Sequence, residues 1–198
     1  LLAQKNAEDA YKAAEDAFLS AELGREMVLG YQGTDPNNID KYHIAACPKH
    51  FLAYGMTNSG QDRTPAYVSI AELKEKHFAP FKAAVEAGAL SIMVNSASVN
   101  GIPTHADHEL LTVWLKEGLG WDGVIVSDWS DVPNLYSRER IAEDYKEAIV
   151  AAVNAGMDMA MIPYDLRFCT YLIEAVNEGL VSEERVTDAA ERVVRMKA

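Results

Sequence analysis

The feature of this sequence that most constrains its fold is a regular alternation of short apolar runs with stretches of helical periodicity. The apolar runs are IAAC at 44–47, SIMV at 91–94, GVIV at 123–126 and MDMAM at 157–161. Each has the length and composition of a buried strand. Helices are predicted between and after them, at about 69–87, 107–118, 139–155, 166–179 and 182–197, with Ser182 as an N-cap and Gly88, Gly120, Gly156 and Gly179 as stops.

Strands that alternate with helices are parallel and are joined by right-handed crossovers. Because the apolar runs are continuous rather than alternating, both faces of the sheet are expected to be covered. We therefore predict an α/β fold of the (βα)-repeat type. A further helix is predicted at residues 5–29, which combine helical spacing with strong helix formers and are followed by Gly30 as a stop.

Length and charge narrow the classes of function. The 198 residues, 49% apolar and 24% charged, are expected to form a single domain, 1–198. A net charge of −12 argues against nucleic-acid binding. No apolar run approaches the roughly 18 residues that span a membrane, and LLAQKNAEDAYK lacks the order of a signal peptide. The compartment stays open, and Cys47 and Cys169 are expected to be buried free thiols.

Unusual side chains follow each predicted strand, where parallel folds place their binding sites. Lys49 and His50 come after the first strand and Asn95 after the second, while Asp128 and Trp129 follow the third. A cation, an imidazole, an amide, a carboxylate and an indole would then meet at one edge of the sheet. This inventory suits a polyhydroxylated ligand.

Each of these residues also has an ordinary structural explanation. Lys49 could be a solvated lysine and His50 a packing histidine, while Asp128 could cap a turn and Trp129 could belong to the core. The chain has no phosphate-binding glycine motif and no GxSxG elbow, and its one close histidine pair, His105 with His108, has no set of acidic partners. We expect no metal and no cofactor.

Three stretches carry a resemblance to a known family: AACPKHFLAYG at 45–55, GALSIMVNSASVNGIPTHADHELLTVWLKEGLGWDGVIVSDWSDV at 88–132 and AVNAGMDMAMIPYD at 152–165. They resemble the KHF, N-G-I-P and SDW motifs of glycoside hydrolase family 3, in that order. The resemblance covers about residues 20–197 and is closest to bacterial β-glucosidases and exo-β-glucanases, which are often periplasmic or secreted. It implies the C-terminal half of a catalytic TIM barrel, with residues 30–198 as a half barrel.

The resemblance also implies a reaction and its residues. It implies retaining hydrolysis of terminal β-linked glucose from a β-glucoside or β-glucan oligosaccharide, with Asp128 as the nucleophile. Lys49 and His50 would hold hydroxyls of the first sugar, Trp129 would pack beside it, and Arg63 and Asn95 complete the expected contacts. A Lys49 ammonium near Asp128 would favour its ionised form.

The sequence departs from the family pattern in ways that bear on activity. The expected Asp and Arg motifs before residue 44 and the domain that supplies the acid/base Glu are not found, so activity of this chain is expected to be impaired or absent. Ala14, Glu15, Asp16 and Ala17 stand where the family has G-E-D-P, which predicts an unbroken helix from about Ala7 to Leu29. A start of the chain that was rebuilt, by design or by fragment engineering, would explain this.

The alternative is a non-catalytic half-barrel scaffold. Four parallel strands cannot close a barrel, and their unpaired edges favour association with a second copy. We therefore expect a homodimer; the competing expectation is that the N-terminal helix folds over the open face and caps it within one chain.

Overall fold

The computed structural model describes residues 16–35, 38–163 and 165–198. Within these ranges the chain falls into two compact units, one formed by residues 16–35, 38–48 and 68–89, the other by residues 49–67 and 90–198 except 164. None of the helices in the described ranges is long and apolar enough to span a membrane.

Two helices make up most of the first unit. Helix α1 is Ala17–Gln32, and α2 runs without interruption through Ile70–Glu72, Leu73–Phe78 and Ala79–Glu86, with π-type hydrogen bonding in its middle part. The side chains of Val28, Ala46, Ala84 and Ala89 form its small apolar core. Gln32 ties the unit together, because its Nε2 donates to the Gly88 carbonyl at 2.7 Å and its Oε1 accepts from the Ala46 amide at 2.8 Å.

The second unit contains the sheet. Strands β1 (Ser91–Met93) and β4 (Val124–Val126) pair in parallel with Ile92 opposite Ile125, whereas β2 (Ser98–Val99) and β3 (Ile102–Pro103) form a small antiparallel hairpin. Parallel bridges extend the first pair on both sides, from Val94 to Phe51 and from Val126 to Met159. Four parallel segments therefore lie side by side in chain order, which confirms the predicted α/β fold with parallel strands.

Helices surround this sheet. The second unit also contains α3 (Glu109–Glu117, π-type), α4 (Asp131–Ser137), α5 (Tyr145–Ala155), α6 (Arg167–Asn177) and α7 (Glu183–Lys197). Short 3₁₀ turns lie at Tyr54–Met56 and Thr104–Ala106. One apolar cluster joins α4, α5 and α6 through residues such as Leu135, Ile149 and Ala175. The Ser182 side chain caps α7 as predicted, by accepting from the Arg185 amide at 3.1 Å.

Two strand predictions need correction. IAAC at 44–47 is not a strand, because the Ile44 amide donates to the Tyr31 carbonyl and the Ala46 amide to Gln32 near the end of α1. The parallel ladder is entered instead at Phe51. MDMAM contributes a single bridge, at Met159, rather than a full strand. Both cysteines are exposed, so the expectation of buried thiols is wrong.

The start of α1 also differs from the prediction. Asp16 has extended backbone (φ −96°, ψ 106°) and its side chain accepts from the Leu19 amide at 2.9 Å, so it is the N-cap of a helix that begins at Ala17. The unbroken helix from about Ala7 is therefore wrong at Asp16, while residues 5–15 of that prediction lie outside the described residues. Gly30 lies within α1, and Gly33, with φ 83°, ends it.

This boundary yields a first testable prediction. Ala17→Pro should be neutral or stabilising by up to about 1 kcal/mol, because proline fits the first position of a helix and the extended Asp16 backbone suits a residue before proline. Ala21→Pro, one turn further along α1, should cost about 3 kcal/mol. Urea unfolding followed by circular dichroism compares the two variants. An equal loss of stability in both variants would mean that the helix begins well before residue 17.

Candidate active site

Three of the predicted site residues, His50, Arg63 and Asp128, meet where the parallel segments end. Asp128 lies two residues after the end of β4, and His50 directly precedes the Phe51 bridge. The Asp128 Oδ2 atom lies 3.6 Å from His50 Nε2 and 3.8 Å from Arg63 Nη2. Trp129 is 52% exposed and stands next to this carboxylate in the chain, so its ring is available to a ligand. The structure thus brings together a carboxylate, an imidazole and a guanidinium beside an exposed indole.

The two carboxylate oxygens of Asp128 have different surroundings. Oδ1 accepts a hydrogen bond from the Trp129 amide at 2.6 Å, which fixes the orientation of the group. Oδ2 faces His50 and Arg63 at distances longer than a hydrogen bond. Asp128 is only 7% exposed, and the guanidinium charge offsets part of the cost of burying the carboxylate. Oδ2 is therefore the oxygen that remains open to another reacting atom.

The cation beside Asp128 is Arg63 rather than Lys49. Arg63 has left-handed backbone (φ 61°), and its guanidinium lies 3.7 Å from Asp62, 3.8 Å from Asp128 and 3.9 Å from Asp131. Lys49 is exposed, and among the residues that the structure describes its ammonium has no carboxylate within 4 Å. The expected Lys49 ammonium at Asp128 is thus replaced by a guanidinium from the loop after Phe51.

His50 is held by an aromatic neighbour. Its ring centroid is 4.4 Å from that of Tyr54, and the Tyr54 hydroxyl donates to Asp62. Burial lowers the pKa of His50, and the Asp128 charge opposes that effect only in part. The imidazole is therefore mainly neutral at neutral pH, where it can donate one hydrogen bond and accept another. Such a group suits sugar hydroxyls, which also both donate and accept.

Asn95 lies apart from these exposed groups. It is fully buried, and its side-chain amide donates to the Leu52 carbonyl at 2.7 Å while its oxygen accepts from the Ala97 amide at 2.9 Å. Its hydrogen bonds therefore shape the backbone on either side of the Phe51 bridge. We leave it out of the proposed sugar contacts for this reason.

Two residues near Asp128 were missed by the sequence interpretation. His105 was considered only as half of a histidine pair, but it is 3% exposed and its Nε2 accepts from the Asp128 amide at 3.1 Å. Asp131 is 1% exposed; its Oδ1 accepts from Asn134 at 2.7 Å and lies 3.7 Å from Arg138. Asp131 follows Asp128 closely in SDWSD, and this spacing could have indicated that the two carboxylates lie near each other. Nothing in the local pattern around His105 pointed to Asp128.

The acidic residue after the fourth parallel segment, Asp165, is already engaged. Asp165 forms two hydrogen bonds with Arg167, at 2.9 and 2.7 Å, and these lower its pKa. Within the described ranges no group of three or more His, Cys, Asp or Glu side chains is placed to hold a metal ion. The chemistry of the site is that of the Asp128 carboxylate, oriented through Oδ1, with Oδ2 beside an imidazole and a guanidinium.

Known proteins match this chain over most of its length. The family described as "Glycosyl hydrolase family 3 N terminal domain" matches residues 4–196. A lysosomal beta glucosidase of Dictyostelium discoideum is 37% identical over 188 residues, covering 92% of this chain and 23% of that protein. A beta-xylosidase of Formosa agariphila is 38% identical over 149 residues, covering 75% of this chain and 21% of that protein.

The fold matches as well. The crystal structure of a beta-glucosidase from Listeria innocua in complex with glucose has a TM-score of 0.85 and 33% identity, over 92% of this chain and 25% of that one. The chain spans about a quarter of the length of these relatives. Because the family match extends over nearly every residue and the parallel fold agrees with it, this chain belongs to glycoside hydrolase family 3.

Proposed function

We propose that this chain carries the nucleophile and part of the sugar-binding site for retaining hydrolysis of terminal β-linked glucose. The observation that supports this most is the asymmetry of Asp128, in which the Trp129 amide orients Oδ1 while Oδ2 faces His50 and Arg63. A retaining glycosidase needs a carboxylate that is held in one orientation and has one oxygen free to attack.

In the proposed reaction, Asp128 Oδ2 attacks the anomeric carbon and forms a glycosyl ester. The bond from that carbon to the leaving oxygen breaks, and its electron pair stays on the oxygen, which takes a proton from a general acid or from water. Water then attacks the same carbon and loses a proton to solvent, while the bond from that carbon to Oδ2 breaks and its electron pair returns to the Asp128 carboxylate. The sugar leaves with retained configuration. His50 and Arg63 would donate to sugar hydroxyls, and these hydrogen bonds would strengthen as charge develops on the ring.

Glucose is the sugar that we propose, with xylose as the competing candidate. The glucose complex of the Listeria innocua relative supports the first, and the Formosa agariphila beta-xylosidase supports the second. Both sugars present the same ring hydroxyls to His50 and Arg63, and they differ at the carbon that carries the hydroxymethyl group of glucose. Parallel incubations with the two sugars therefore separate the candidates.

Covalent trapping tests the proposal. Incubation with 2,4-dinitrophenyl 2-deoxy-2-fluoro-β-glucoside should add one fluoroglucosyl group to the chain, because the activated leaving group reduces the need for an acid. Peptide mapping by mass spectrometry should place the group on Asp128. The Asp128→Asn variant should stay unlabelled, and the corresponding xyloside should label more slowly.

The control is Asp122→Asn, since Asp122 lies before β4, at the opposite end from Asp128, and is 74% exposed in its side chain. That variant should be labelled like the parent chain. Label on another residue, or no label in the parent chain, would contradict the proposal. The second result would favour the alternative, a non-catalytic scaffold.

A further inference from the structure

The loop that presents Asp128 has an unusual set of backbone hydrogen bonds. Five consecutive amides, from residue 127 to residue 131, are each bonded. Four of the acceptors are a carbonyl or the side chain of Asp128 itself: Ser127 to the Met159 carbonyl at 2.9 Å, Trp129 to Asp128 Oδ1 at 2.6 Å, Ser130 to the Met161 carbonyl at 2.9 Å and Asp131 to the Asp128 carbonyl at 3.3 Å. The fifth amide, that of Asp128, donates to the ring of His105 at 3.1 Å.

We propose that His105 is a positioning residue, whose neutral imidazole accepts the Asp128 amide and so fixes the backbone from which the nucleophile projects. Its catalytic consequence rests on the function proposed above. The structural part does not, because it concerns a hydrogen bond that exists with or without a substrate. His105 reaches this amide from the 3₁₀ turn Thr104–Ala106, 23 residues earlier in the chain.

The hydrogen bond defines the state of the ring. An imidazole nitrogen accepts only when it carries no proton, so Nε2 must be bare and the proton of the neutral ring must sit on Nδ1. A protonated ring would point an N–H at the Asp128 N–H, and both donors would lose their acceptor. The bond therefore exists only while His105 is neutral.

The surroundings of His105 keep it neutral. Burial lowers its pKa to about 4. Asp131 and Asp128 face the ring and favour its protonated form, whereas Arg138 and Arg63 oppose protonation. Since an ordinary histidine titrates near pH 6.5, burial outweighs the two carboxylates here. The positioning bond should consequently persist across the pH range from about 5 to 8.

Loss of this acceptor should loosen the nucleophile in particular. In His105→Ala the Asp128 amide would be buried without a partner, and the loop would have to shift or admit water to satisfy it. The Ser127 and Ser130 amides would keep their carbonyl acceptors at Met159 and Met161. In His105→Gln the amide oxygen can take the place of Nε2 as acceptor, so the bond should be restored without a titratable group.

Amide hydrogen exchange measured by NMR on the nitrogen-15-labelled chain tests this directly. Exchange at Asp128 should be at least about tenfold faster in His105→Ala than in the parent chain, and should return towards the parent rate in His105→Gln. Exchange at Ser127 and Ser130 should change little in either variant. Equal protection of the Asp128 amide in all three proteins would overturn the proposal.

Two further measurements keep the outcomes distinct. The His105 ring in the parent chain should show a bare Nε2 and a protonated Nδ1 from pH 5 to 7, and an Nε2–H tautomer would overturn the proposal even if His105→Ala failed to fold. In the trapping reaction, His105→Ala should lower the maximal labelling rate by about 10²-fold with little change in half-saturation, and His105→Gln should recover it. A parent chain that is never labelled would refute the proposed function, whereas the exchange experiment would still decide the role of His105.

Discussion

Replacing Asp158 with alanine is expected to lower the free energy of unfolding by about 3–5 kcal/mol. The Asp158 side chain is fully buried, and it accepts from Lys116 Nζ at 2.7 Å, from the Ile125 amide at 2.9 Å and from Arg185. Its removal leaves two largely buried cations without their closest carboxylate and an amide of β4 without its side-chain acceptor. Each of these losses is costly in a medium of low polarity.

The response of Lys116 adds to this cost. Burial already lowers its pKa to about 8, and the charge and hydrogen bond of Asp158 are what hold the pKa up. Without the carboxylate the pKa of Lys116 should fall further, so that a buried amine would be charged only at a free-energy cost at neutral pH. The destabilisation by Asp158→Ala should therefore be largest at pH values at which Lys116 is charged in the unfolded chain, and pH 7 is one of these.

Urea unfolding at pH 7 measures the effect, and Asp122→Asn is the matched control. The Asp122 carboxylate also pairs with an arginine of α7, Arg195 at 2.6 Å, but its side chain is 74% exposed. An exposed pair of this kind contributes less than about 1 kcal/mol. If the two variants lost the same small amount, the buried ion pairs would not stabilise this unit.

Hydrolysis by the 198-residue chain alone should depend steeply on the leaving group. Two carboxylates approach the same Arg63 guanidinium that contacts Asp128: Asp62 at 3.7 Å and the buried Asp131 at 3.9 Å. Both carboxylates lie beside this cation and Asp131 is also buried, so we expect neither to act as a general acid on a leaving oxygen. Loss of general acid catalysis costs about 10²- to 10⁴-fold, and it matters most when the leaving alcohol is a poor one.

We therefore expect measurable release of dinitrophenol from 2,4-dinitrophenyl β-glucoside and negligible hydrolysis of cellobiose or laminaribiose. Azide should accelerate the first reaction and yield β-glucosyl azide, because it attacks the glycosyl ester without help from a general base. Absorbance and chromatography provide the two measurements. Fast cellobiose hydrolysis that disappears in Asp128→Ala would contradict this, since it would require a carboxylic acid within the chain.

The sequence pattern was informative where local composition decides structure. SIMV and GVIV lie almost wholly buried and pair in parallel as expected, and Asp128 lies just after the end of β4, where the pattern placed it. IAAC is also a short apolar run but does not form a strand, because residues near the end of α1 accept hydrogen bonds from its Ile44 and Ala46 amides. An apolar run thus indicates burial more reliably than it indicates which partner will satisfy its backbone.

The features that were not predicted have two different origins. Asp16 starts α1 because its side chain accepts a hydrogen bond from the Leu19 amide, a local signal that the helix-favouring alanines around it outweighed in the prediction. His105 accepts from the Asp128 amide across 23 residues of chain, and Arg63, rather than Lys49, is the cation beside Asp128. Such distant side-chain contacts are set by the packed fold, so the residue types alone could not assign them.

The chain order of the four parallel segments bears on how the protein can be made. Phe51 pairs with Val94, β1 pairs with β4, and Val126 pairs with Met159. Each parallel segment after the one at Phe51 therefore pairs with the parallel segment before it in the sequence. During synthesis on the ribosome, each segment that emerges finds its neighbour already translated. The sheet can then grow in one direction without waiting for the C-terminus, and an unpaired edge is covered as soon as the next helix and strand have left the exit tunnel.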